Sequence, residues 1–173
     1  MRSRTLDIDD RTQDLAELLR GEPGIGQEFA RLYELSWIHH DCALEGVIYT
    51  AQEIATALAG QPLAEVGTIA LFRDIRNARA AVDLVRAEAR QKKVKITLAL
   101  VRQLNATLHA GNEARAGAEF RKDIPLHRAY FHEIVPPAQI AGQLDALLEQ
   151  CESADFRAAH PIQRASRLQH AFM

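Results

Sequence analysis

Thr50-Ala51-Gln52-Glu53, set between Gly46 and Gly60, is the stretch on which the reading of this chain turns. A threonine three residues ahead of a glutamate is the capping-box pattern. The hydroxyl can accept from the Glu53 N–H, and the Glu53 carboxylate can accept from the Thr50 N–H. It predicts a short helix that Gly60 ends, with Pro62 beyond. Working back toward the N-terminus, Phe29, Leu32, Tyr33 and Ser36 recur at helical spacing from about Gly26 to His40, until Gly46 breaks the pattern. Thr12 to Arg20 reads as a short helical piece closed by Gly21, and residues 1–10 as a frayed terminus.

Working forward, a long helix is expected from about Ala64 to Gln91, with Phe72, Ile75, Val82 and Val85 as its seam. Thr97 can cap the next helix, whose face is Leu100, Val101, Leu104 and Leu108, with Gly111 as its end. Helical periodicity then disappears over residues 112–135. Phe120, Ile124, Tyr130, Phe131, Ile134 and Val135 are spread among charges, which suggests an extended or hairpin-like segment. Pro136-Pro137 starts another helix with Ile140, Leu144, Leu147 and Leu148 on its buried face. A last helix opens at His160-Pro161 and carries Ile162, Ala165, Leu168 and Phe172. It is still in mid-pattern at Met173, which reads as a truncated domain.

The 173 residues suffice for one domain with a core, or a core plus a helical extension. Hydrophobic residues make up 47% and charged residues 25%, the balance of an ordinary globular chain. A net charge of -2 argues against a nucleic-acid partner for the chain as a whole. No apolar run approaches the roughly 20 residues needed to span a bilayer, so no membrane is expected. The start lacks an apolar signal core, and Cys42 and Cys151 have no motif spacing; a reduced, cytoplasmic setting fits.

Candidate chemistry is sparse. His39, His40 and Asp41 do not suggest a metal site, because adjacent helical side chains point about 100° apart. His127 and His132 lack partners at ligand spacing. Residues 73–95 hold eight Lys/Arg against three Asp/Glu, distributed around the helix without aromatics, the pattern of a solvated face. No P-loop, dinucleotide fingerprint or nucleophile motif is present, so no catalytic residue and no metal ligand is assigned.

Three stretches together resemble the Fic domain family, the helical fold of protein AMPylation enzymes. They are Asp41-Cys42-Ala43-Leu44-Glu45-Gly46 followed by Tyr49-Thr50-Ala51-Gln52-Glu53-Ile54; Glu119-Phe120-Arg121 leading to Tyr130 and Ile134-Val135-Pro136-Pro137; and His160-Pro161-Ile162-Gln163-Arg164-Ala165 leading to His170-Ala171-Phe172-Met173. The resemblance implies an all-α, Fic-like bundle of about seven helices with one small β-hairpin flap. It implies an N-terminal extension at 1–24 and an incomplete Fic-like domain at 25–173, with an inhibitory-type helix at about 26–46.

It also implies roles. Glu45 and Gly46 match the family's inhibitory signature, whereas position 41 is Asp where the family has Ser or Thr. In the family this glutamate pairs with an arginine of the active loop and blocks productive placement of the ATP γ-phosphate. Otherwise Glu45 is a surface glutamate at a helix end. Phe120, Arg121, Tyr130 and Phe131 fall on the flap, which in the family aligns a target protein as an added strand. Tyr130 and Phe131 either flank that groove or pack beneath the hairpin. The family's loop, His-x-Phe-x-Asp/Glu-Gly-Asn-Gly-Arg-x-x-Arg, does not occur in residues 1–173. ATP and Mg²⁺ are implied for the complete family domain only. The chain by itself is therefore expected to transfer no AMP. A non-catalytic interaction module using the flap is the rival reading, and the oligomeric state, including a homo-oligomer, stays open.

Overall fold

The computed structural model describes residues 4–44, 46–60, 68–117, 120–124 and 134–172. The regular elements among them are all helical: α1 (Arg4–Gly21), α2 (Pro23–Leu44), α3 (Ala51–Leu58), α4 (Thr68–Ala89), α5 (Leu98–Leu108), α6 (Glu113–Ala116), a single 3-10 turn at Pro137–Gln139, α7 (Ile140–Cys151), α8 (Ala154–Ala158) and α9 (Pro161–Phe172). The chain divides into two compact units, Met1–Arg79 and Ala80–Met173, and the division falls inside α4.

In the first unit α1 and α2 form a helical hairpin. Gly26 permits the close return: a Cβ there would lie 3.2 Å from the Leu19 carbonyl oxygen. The core is built from Ile38, Tyr49, Ile54, Ala57, Phe72 and Ile75, with Leu35, Cys42, Leu58 and Leu71 packed against it. Ile38, Ile54 and Ile75 are fully buried, each contributing about 1.5–3 kcal/mol relative to an exposed position. Two polar contacts tie α4 to its neighbours. Arg76 Nε donates to the Ala57 carbonyl at 3.0 Å, near the end of α3, and Arg79 pairs with the nearly buried Glu34 of α2.

The face of α2 expected to be buried is not the one that packs. Phe29, Leu32, Tyr33 and Ser36 are exposed, whereas Glu34, Leu35, Ile38 and Cys42 turn inward. Phe29 and Tyr33 stack on one another, ring centroids 5.9 Å apart, and Trp37 extends the same exposed stripe.

In the second unit α7 is the hub and packs on α5, α8 and α9. Ala81, Leu144, Cys151 and Phe156 are buried. Thr97 caps α5 by accepting from the Leu100 N–H at 3.1 Å, as its position suggests, and Ser153 caps α8 through the Phe156 N–H. Asn105 Nδ2 donates to the Arg115 carbonyl and holds the short α6 against α5. Arg167 of α9 pairs with Asp155 of α8.

The expected β-hairpin flap is corrected. No strand occurs among the described residues, and the fold is all-α without it. Phe120-Arg121-Lys122-Asp123-Ile124 runs as irregular backbone, and so does Ile134-Val135-Pro136. Three consecutive polar residues between Phe120 and Ile124 break the period-two alternation a paired strand needs, and Pro125 has no N–H to donate. A side chain bridges the segment instead: Arg121 donates to the Asp123 carbonyl at 3.1 Å and to the Val135 carbonyl. Tyr130 and Phe131 lie outside the described residues.

Candidate functional site

The junction between α2 and α3 is where sequence signature and geometry meet. α2 ends at Leu44, and the chain turns at Gly46, whose φ is +83°. The Gly46 N–H donates to the Ala43 carbonyl at 3.0 Å, and the Val47 N–H reaches back to the Cys42 carbonyl at 2.9 Å. These are the 5→2 and 6→1 bonds of a Schellman motif, with glycine at the left-handed position where a Cβ is disfavoured. Glu45, the inhibitory candidate, sits between these residues in sequence and lies outside the described residues.

The short connection 47–50 is held at two points. His39 Nδ1 donates to the Tyr49 carbonyl at 2.7 Å, which requires a proton on that nitrogen. The Tyr49 ring is buried in the core, and that burial, reinforced by Cys42, Asp74 and Glu53, raises its phenol above the ordinary value. Burial likewise raises the Cys42 thiol, aided by Asp41 and Asp74. The capping box then forms as the sequence pattern predicts. Glu53 N–H donates to Thr50 Oγ1 at 3.2 Å, and the Thr50 N–H and hydroxyl both donate to Glu53 Oε2 at 2.7 Å. Those bonds hold the Glu53 carboxyl below its ordinary pKa.

Of the other sequence candidates, Phe120 and Arg121 belong to the second unit and are partly buried, Arg121 being engaged with backbone carbonyls. Among the described residues no group of three His, Cys, Asp or Glu side chains converges as a cation site. No described helix is long and apolar enough to cross a membrane.

A second constellation was not legible in sequence. Lys92, Lys93, Val94 and Lys95, between α4 and α5, line a cleft in the second unit with Glu152, Arg157 and Arg164. The lysines read as part of a solvated face because Arg157 and Arg164 are more than sixty residues further on, beyond the reach of any local pattern. Comparison with protein-family models finds no match, and neither do comparisons with the curated proteins and the solved structures.

Proposed function

We propose that this chain is the scaffold and regulatory region of a Fic-type AMP transferase, with Glu45 as the brake. The reading rests on the α2–α3 junction. A Schellman turn with Gly46 at its left-handed position follows a long helix, and Thr50, four residues after Gly46, caps the next one. The helix-starting Pro136-Pro137 and His160-Pro161 pairs supply further support, because each stands at the start of an element in the order the family resemblance requires.

Such a junction suits a brake on physical grounds. Gly46, Val47 and Tyr49 are tied back to α2 by the turn's backbone bonds and the His39–Tyr49 contact, which favours a side chain presented from the turn. A carboxylate so presented can take an arginine fork in a bidentate pair. An arginine held in that way is withdrawn from the phosphate it would otherwise bind. The base, the anion-binding turn and the metal ligand of the reaction belong to the family loop, which residues 1–173 do not contain.

The test uses labelled ATP, Mg²⁺ and cell lysate. Residues 1–173 alone are expected to label no protein, and robust labelling overturns the requirement for the loop. The same chain joined to a loop of the family pattern is expected to label protein, more strongly as Glu45→Gly. Equal labelling by the two removes the brake, and labelling by neither removes AMP transfer.

A further inference from the structure

Within the second unit, separate elements bring cationic side chains to one concave surface. Lys92, Lys93 and Lys95 come from the connection between α4 and α5, Arg157 from α8 and Arg164 from the second turn of α9. The cleft has a volume of about 660 Å³, within the range of small-molecule sites. Glu152, the one carboxylate among the described lining residues, is already bound by Arg157. The Arg164 Nε is buried and has no hydrogen-bond partner. A buried guanidinium donor without an acceptor is unusual, because desolvation is then uncompensated. With Arg157 paired to Glu152, Lys92, Lys93, Lys95 and Arg164 carry like charge on one surface and repel one another. An anion in the cleft offsets that repulsion.

The chemistry of the lining narrows the anion. Lysine ammoniums act as compact point charges and arginine as a planar fork, the pairing that serves phosphate oxygens. A single carboxylate carries too little charge for cations spread over three elements. Among the described residues no aromatic side chain lines the cleft as a platform for base stacking. We propose that this cleft binds a small molecule carrying a diphosphate or longer phosphate chain, either free or as the tail of a nucleotide. The assignment is independent of AMP transfer and survives the failure of that reading.

Isothermal titration of the full chain with inorganic pyrophosphate at low salt is the test. Saturable binding is expected, weakened about tenfold by Arg164→Gln and by Lys95→Gln, unchanged by Lys122→Gln, and not restored by Arg164→Lys. Lys95 is exposed, so its variant keeps the comparison available should the Arg164 variant not fold, as judged by circular dichroism. ADP binding more tightly than pyrophosphate assigns the phosphate chain to a nucleotide, and equal affinities assign it to a free chain. No binding of pyrophosphate, or wild-type affinity in both Gln variants, overturns the proposal. So does tighter binding of a short single-stranded DNA with a steep salt dependence.

Discussion

Gly46 carries a backbone conformation that L side chains adopt only at a cost. Its φ of +83° closes the turn after α2, and a Cβ built there meets no atom within 4 Å. The penalty of a substitution is therefore conformational rather than steric. Gly46→Ala is expected to lose about 1–2 kcal/mol of stability in urea titrations. Gly142 provides the opposite case. It lies in α7, also with open space around a built Cβ, but with no positive φ. Gly142→Ala is expected to gain about 0.5–1 kcal/mol by the same measurement. A pair of substitutions with the same chemistry and opposite signs separates backbone strain from packing.

At the scale of the element, the start of α3 makes stability depend on pH. Hydrogen bonds from the Thr50 N–H and hydroxyl lower the Glu53 pKa from its ordinary 4.5. A carboxyl whose folded pKa is depressed stabilises the fold above its unfolded value, and that stabilisation is lost as pH falls through the folded one. Glu53→Gln is thus expected to be less stable than the wild type at neutral pH, with the gap closing in thermal melts below pH 4.5. The caps at Thr50 and Thr97 were legible in sequence because a cap is a bond between residues three apart. The buried face of α2 was not. Periodicity reports that Phe29, Leu32 and Tyr33 share a side of a helix, but not which side meets a neighbour. Here Ile38 and Glu34 face α3 and α4, and the aromatic stripe stays outside. The short α6 and α8 were missed for a different reason, since four or five residues are too few to show a period.

At the scale of the whole molecule, each of the two units buries apolar side chains of its own among the described residues. In the first unit Ile54 is fully buried between Ile38, Phe72 and Ile75, and Ile54→Ala is expected to cost about 2–5 kcal/mol in circular-dichroism melts. Leu144 in the second unit retains 9% exposure, and Leu144→Ala should fall toward the lower end of that range. The longer helices of both units followed from periodicity and caps, whereas the hairpin expected in the second unit does not occur among the described residues. What sequence could not supply was the cleft lined by Lys92, Lys95, Arg157 and Arg164, which exists only once α8 and α9 are folded back. The exposed stripe of α2 has an optical consequence. Trp37 is the chain's one tryptophan, partly exposed and next in sequence to the fully buried Ile38. Its fluorescence is a built-in reporter of its own surroundings in the unit Met1–Arg79. Excitation at the red edge of the tryptophan band, where tyrosine does not absorb, therefore reads out the surroundings of one residue in the first unit, while the amide signal reads out the helices of both.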